Sequence, residues 1–273
     1  MITAHFGITQ APFSSERPTL LPQQQQILDL LAIHAQQGGF SAIVGEPGVG
    51  KSVLREHIQT LGDDARYCVL SITRTLHSYL QITKQLGDAF ELDTPTREIE
   101  NALIQAAWSH SRENKTLYTL IDDAHLIPMP TLRKLRLLFE RFPRRHNLVL
   151  FGQSELFYTL SLQAHADIHS RISDSQSLYP LNDEDLEAFI HRELDAVKLS
   201  RNPFDPAAIA LIVRSVKGNL RLCRNLALGA LAQCCQHGHR QVSLTHVNDT
   251  LIQPHWRSHQ EIITQGVDSE SND

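Results

Sequence analysis

The chain has 273 residues and a formal net charge of −5, with 41% hydrophobic and 20% charged residues. That length accommodates one large domain plus a small one, in an ordinary globular composition, and no apolar run approaches the ~20 residues that cross a bilayer. The negative balance excludes a protein that clings to nucleic acid by charge alone, while leaving room for a local basic patch.

Phe6 to Ser14 is punctuated by Gly7 and Pro12 and reads as an irregular leading segment. A helix is expected from Gln24 to Gln36, with Ile27, Leu30, Leu31 and His34 on one face. Gly39-Phe40-Ser41-Ala42-Ile43-Val44 reads as a short buried strand. It runs into Gly45-Glu46-Pro47-Gly48-Val49-Gly50-Lys51-Ser52, which fits G-x-x-x-x-G-K-[ST] at every fixed position. A helix beginning at Val53 leaves the loop. A triphosphate needs backbone N–H groups converging on its oxygens, which glycines permit and a following helix N-terminus reinforces. Lys51 is therefore expected on the β- and γ-phosphates, and Ser52 in the shell of a Mg²⁺ ion. Gly45 through Val53 form the expected ATP-binding stretch.

Tyr67–Ile72 reads as a second strand, followed by helices over Leu76–Phe90 and Glu98–Ser111. Leu117–Ile121 is a third strand and ends in Asp122-Asp123. An apolar strand ending in acids is the expected companion of a P-loop, with Asp122 holding Mg²⁺ through water. The next position usually carries the glutamate that orients attacking water. Asp123 is one methylene shorter, losing roughly 1.5 Å of reach. A misplacement of about 1 Å can cost about 100-fold in rate, so slow hydrolysis is expected. The plainer alternative for the pair is a helix N-cap.

A helix over Leu132–Phe142 precedes a fourth strand, Asn147–Phe151, that ends at Gly152-Gln153. Ser175–Tyr179 is a fifth strand, before Pro180. Strands alternating with helices imply a parallel sheet covered on both faces. From Asp183 only helices recur, at about 183–198, 205–215 and 218–236, with a weaker one near 243–251. The fold class is thus α/β: a P-loop αβα sandwich on a five-stranded parallel sheet over 1–180, then an all-α lid over 181–255. Residues 256–273 are expected to be a polar, disordered tail.

Cys68, Cys223, Cys234 and Cys235 form no CxxC pair, and the vicinal Cys234 and Cys235 on an apolar helix read as core thiols of a reducing cytosol. None of the fifteen histidines stands in H-E-x-x-H or a Cys/His ligand pattern, so no metal site built from protein ligands is expected. Met1 to His5 lacks the basic-then-apolar pattern of a secretory leader.

Several of these segments, in this order, resemble the AAA+ ATPases of the ExeA-like group. They are Phe6-Gly7-Ile8 with Pro12-Phe13, the P-loop, Ile121-Asp122-Asp123-Ala124-His125, and Leu150-Phe151-Gly152-Gln153-Ser154-Glu155-Leu156. Arg171-Ile172, the run from Leu181 to Leu194, and Gly218-Asn219-Leu220-Arg221 complete the match, which covers about residues 5 to 250. The group includes secretion-pathway ATPases and the transposon target-selection ATPases of TniB/TnsC type. The resemblance implies a polar sensor at Gln153, an arginine finger at Arg171 that reaches a neighbouring subunit's site, and a phosphate-sensing arginine in the lid at Arg221. The plainer alternatives are a strand-end turn residue, a surface salt bridge and a solvated helix-start arginine.

Two roles follow from the resemblance. In the first, ATP assembles the chain as a ring or filament on duplex DNA, where it marks the target for a transposase. Arg133, Lys134, Arg136, Arg141, Arg144 and Arg145 cluster within fifteen residues, opposed only by Glu140. They are as well read as a solvated face. Arg144 and Arg145, with Arg74 and Lys84, are the expected DNA contacts. In the second role the chain is a secretion or pilus-biogenesis ATPase acting on protein partners at the inner membrane. A purely regulatory, protein-binding switch is a third.

Overall fold

The computed structural model describes residues 2–8, 10, 12–13, 19–72, 78–197 and 202–256. In chain order it holds α1 (Ile2–Phe6), α2 (Pro22–Ala35), β1 (Gly39–Gly45), α3 (Lys51–Thr60), β2 (Tyr67–Ile72), α4 (Tyr79–Ala89), α5 (Ile99–Arg112) and β3 (Thr116–Ile121). There follow α6 (Met129–Phe139), β4 (His146–Gly152), α7 (Glu155–Ser161), α8 (Ala166–His169) and β5 (Asp174–Leu178). The last four helices are α9 (Asp183–Ala196), α10 (Pro206–Val216), α11 (Leu220–Gln236) and α12 (Leu244–Leu251).

The five strands form one parallel sheet in the order β2-β3-β4-β1-β5. Alternation along each strand divides its side chains between two cores. Phe40, Val44, Leu117, Ile121, Leu148 and Leu150 face one core, with α4, α5 and α6. Ile43, Tyr118, Leu120, Val149 and Phe151 face the other, with α2 and α3. Both faces are covered at the central strands β1, β3 and β4, which are buried almost throughout, whereas the edge strand β5, Asp174-Ser175-Gln176-Ser177-Leu178, is polar and buried only at Leu178.

Boundaries moved where local chemistry overruled periodicity. Helix α6 starts three residues before the expected Leu132, because Pro130 suits a first helical turn. Helix α4 starts at Tyr79; residues 76 and 77 of its expected range lie outside the described residues. The short helices α1, α7 and α8 were not expected; each is under two turns or nearly so, too short for a 3.6-residue period to register.

The chain divides into two compact units, Arg17–Tyr179 and Met1–Glu16 with Pro180–Asp273. The sequence placed the first sixteen residues with the sheet. Among the described ones, Phe13 is buried in the helical core, its ring 6.1 Å from that of Phe189. In the helical unit Asn182, Asp205 and Asn219 each accept a backbone N–H three residues on, which fixes the starts of α9, α10 and α11. Gly218 has φ +78°, and a Cβ there would lie 2.1 Å from the Leu181 carbonyl oxygen, so only glycine fits. Buried Cys223 and Cys234 stay inert thiols, pushed by burial up to about 12 and about 11.

One core residue gives the sheet unit a pH dependence. His146 opens β4, is 7% exposed, hydrogen-bonds Thr119 Oγ1 at 2.9 Å, and lies 4.9 Å from both the Phe139 and Phe142 rings. Burial lowers its pKa from 6.5 to about 3. The folded pKa is depressed, so the unfolded chain binds more protons between those values. The contribution is complete above about pH 6.5 and is lost as pH falls towards 3, at up to about 1.4 kcal/mol per unit. Urea unfolding at pH 7 and pH 5 is expected to show this loss in the wild type. It should be smaller in His146→Gln, which does not titrate; equal losses would mean another group governs acid stability.

Candidate functional site

Because all five strands run the same way, the loops after β1, β4 and β3 open at one edge of the sheet. Those strands are consecutive neighbours, about 4.8 Å apart, so the topology gathers three short loops into one site.

The loop after β1 is the P-loop. Gly48 and Gly50 take φ of +92° and +103°, a region that glycine occupies without strain. Gly50 caps α3, whose N-terminus therefore opens directly on the loop. At the exit of β1 a Cβ on Gly45 would lie 2.6 Å from the Leu178 carbonyl oxygen, so the strand end is as closely built as the loop. Lys51 folds back across the turn, donating from Nζ to the carbonyls of Gly45 at 2.6 Å and Glu46 at 2.9 Å. Ser52 is exposed in the first turn of α3. A positive helix end, a lysine ammonium and a hydroxyl on one concave turn could hold a phosphate chain and a Mg²⁺ ion.

A residue that pattern matching did not find supports the loop. Gln24 of α2 is 1% exposed; its Oε1 accepts the Leu21 N–H at 2.7 Å, and its Nε2 donates to the Gly50 carbonyl at 2.9 Å. It links the start of α2 to the end of the P-loop. In sequence it lies within the Gln23–Gln26 tract, where only burial separates it from its neighbours.

Asp122 follows β3 directly, its N–H donating to the Ile72 carbonyl at 3.0 Å. Its Oδ1 accepts the Asp123 N–H at 2.9 Å, and its Oδ2 lies 3.4 Å from Arg55 Nη1. Arg55 stands one helical turn after Lys51 on α3, with a side chain 12% exposed. A divalent cation on Asp122 would compete with that guanidinium for one carboxylate. The signal for Arg55 was its i+4 spacing from Lys51.

Asp123 is exposed and has φ +50°, a left-handed conformation that Asp and Asn accept more readily than longer side chains. The following 3-10 turn, Ala124–Leu126, begins with the Leu126 N–H on the Asp123 carbonyl at 2.9 Å. Asp123 thus does cap a turn, but through its backbone, which leaves the carboxylate available. Gln153 follows β4, and its Nε2 lies 3.0 Å from His125 Nε2, joining the β4 loop to the β3 loop. His125 Nδ1 is buried with no hydrogen-bond partner among the described residues.

Other expected residues lie elsewhere. Arg171 precedes β5, at the sheet edge opposite the P-loop, and its Nε is 3.4 Å from Glu140 Oε1 in an exposed ion pair. Arg144 and Arg145 precede β4 at that same opposite edge, both exposed. Lys84 is exposed on α4, and Arg74 lies outside the described residues. Arg221 is exposed in the first turn of α11, in the helical unit. The basic cluster is more neutralised than its sequence suggests. Arg133 pairs with Asp167 at 3.2 Å and Arg136 with Glu140 at 3.5 Å. The Arg133 hydrogen bond holds the Asp167 carboxyl below its usual range. Asp167 is too distant in sequence to be counted against the cluster there. No described helix is long and apolar enough to cross a membrane.

Comparison with known proteins agrees with this architecture. Residues 33–160 match the family model described as an AAA domain. General secretion pathway protein A of Aeromonas hydrophila is 27% identical over 255 residues, covering 89% of this chain and 46% of that protein. The chain therefore spans about half the length of that curated relative. Among solved structures, Cdc6p from Pyrobaculum aerophilum superposes with a TM-score of 0.71 at 16% identity, over 91% of this chain and 70% of that one. The Aeropyrum pernix ORC1 protein in complex with DNA gives 0.66 at 15% identity, over 87% and 67%. The fold is that of the AAA+ P-loop NTPases.

Proposed function

We propose that this chain is a Mg²⁺-dependent AAA+ ATPase that assembles with further copies of itself and works on protein partners, in the manner of secretion-pathway ATPases. The single observation that carries the ATPase reading is the grouping of Lys51, Ser52, Asp122, Asp123 and Gln153 at the ends of three adjacent strands. In this reading Gly45 to Val53 cradle the triphosphate, Lys51 neutralises its outer phosphates, and Ser52 with Asp122 holds the Mg²⁺. The ion supplies charge neutralisation on the phosphate oxygens. Arg55 must yield Asp122 when the ion arrives. Asp123 orients water, Gln153 reports on the phosphate end, and Arg221 of the helical unit adds a further phosphate contact. Arg171, remote from its own subunit's P-loop, acts on a neighbour's, which makes a ring or filament the active form. A cytoplasmic location accords with this reading.

The protein-partner reading rests on the likeness to the secretion-pathway protein and on the ion pairs that occupy Arg133 and Arg136. A second reading is favoured by the likeness to the ORC1 protein in complex with DNA: ATP assembles the chain on duplex DNA and regulates transposition by recruiting a transposase. Gel-shift assays on a long duplex at low salt, with a non-hydrolysable ATP analogue, separate the two. The protein-partner reading expects no nucleotide-dependent shift. A shift that needs the analogue and falls steeply with salt would install the DNA reading instead. In that case neutralising Lys84 with Arg74, or Arg144 with Arg145, should weaken binding to all sequences alike and flatten the salt slope.

A further inference from the structure

Three histidines between residues 237 and 246 come together in the helical unit. His237 and His239 flank Gly238 just beyond α11, and His246 lies on α12. Two helix-end motifs bring them there. Gly238, at φ +70°, closes α11 with its N–H on the Cys235 carbonyl at 3.1 Å and the His239 N–H on the Cys234 carbonyl at 3.0 Å. Ser243 starts α12 three residues before His246. The two helices approach so closely that a Cβ on Gly229 of α11 would lie 2.4 Å from Thr250 Cγ2 of α12. The three ring centroids are 5.1, 5.6 and 5.9 Å apart, and one ring nitrogen from each lies within 4.8 Å of the others. His246 is 3% exposed; the other two are exposed, so an ion has a path from solvent.

We propose that His237, His239 and His246 form a site for a divalent transition cation of the zinc class, a clip between the end of α11 and the start of α12. Three imidazoles select such an ion over Mg²⁺ or Ca²⁺, which prefer oxygen ligands. Zinc–nitrogen bonds of about 2.0–2.1 Å in tetrahedral array set ligand nitrogens about 3.3 Å apart. The exposed His237 and His239 side chains supply the adjustment from the present spacing, while His246 stays fixed by its neighbours.

The protons can be followed through binding. His246 Nδ1 accepts the Ser243 N–H at 2.9 Å, so in the neutral ring the proton sits on Nε2 and is donated to His239 Nδ1, 2.9 Å away. An ion at Nε2 displaces that proton to Nδ1, where Ser243 Oγ at 3.1 Å accepts it. Binding therefore exchanges one capping hydrogen bond for another and switches the His246 tautomer, with no net proton release. His5 of α1 adds an outer contact, its Nε2 lying 2.7 Å from the His239 carbonyl.

The test uses the full chain without a histidine tag, freed of metal by a chelator, titrated calorimetrically with zinc chloride. The wild type should bind one equivalent at this site. His237→Ala and His239→Ala, both at exposed positions, should each weaken binding by about 10–100-fold, and the thermal midpoint should rise with zinc only in the wild type. Nitrogen-15 spectra of the imidazoles should show His246 moving from the Nε2–H to the Nδ1–H form at one equivalent. Isotherms unchanged in the His237→Ala, His239→Ala double variant, or a His246 tautomer indifferent to zinc, would overturn the site.

Discussion

Lys51→Ala is expected to abolish tight binding of Mg²⁺-ATP and, with it, every nucleotide-dependent state of the chain. Lys51 Nζ already bridges the Gly45 and Glu46 carbonyls, so the side chain is committed to the loop before any phosphate is considered. Its loss would remove the cation of the P-loop and leave those two carbonyls without that donor. Truncating one partner of a desolvated charge pair costs roughly 2–5 kcal/mol, or about 30-fold to several thousand-fold in affinity. Calorimetric titration with Mg²⁺-ATP would measure it, with a far-UV melt to verify that the variant remains folded. Wild-type affinity in a folded Lys51→Ala chain would remove the P-loop from the account.

Asp123→Asn is expected to retain ATP and stop turnover. The position suits a clean test, because at φ +50° asparagine is as acceptable as aspartate and the turn to Leu126 is made by the backbone. Only the charge and proton affinity of the side chain change. Loss of a general base lowers rates by about 10²–10⁴-fold, so phosphate release should fall at least about 100-fold at unchanged nucleotide affinity. Nucleotide-dependent assemblies should persist longer in the variant. The left-handed backbone also gives a reason for a short acid here: it favours aspartate, at a loss of reach towards the water. If Asp123→Asn releases phosphate at the wild-type rate, Asp123 serves only the turn, and another base must be found.

Much of the sheet unit was legible in the sequence, because its signals are local. The P-loop is contiguous, and the strands buried on both faces stand out as apolar runs such as Leu117–Ile121 and Leu148–Phe151. What was not legible depends on contacts between distant residues. Gln24 supports Gly50 from another helix, Asp167 neutralises Arg133 across 34 residues, and Phe13 joins a core whose other buried residues lie beyond Pro180, with Ile2 and Phe6 packed against it. The three histidines escaped because no ligand pattern of fixed spacing unites them; a helix end and a helix start do. Arg171 shows the limit from the other side. The resemblance suggested its role, the structure gives it an exposed pairing with Glu140, and only a neighbouring subunit could realise the proposed function.

That last dependence yields the most direct measurement: steady-state phosphate release from Mg²⁺-ATP as a function of protein concentration. Mg²⁺-dependent release is expected, at a rate per subunit that rises with concentration as each Arg171 reaches a neighbour's P-loop. A chain that binds ATP through Lys51 yet releases no phosphate at any concentration, or releases it at a constant rate per subunit down to the monomer, would contradict it.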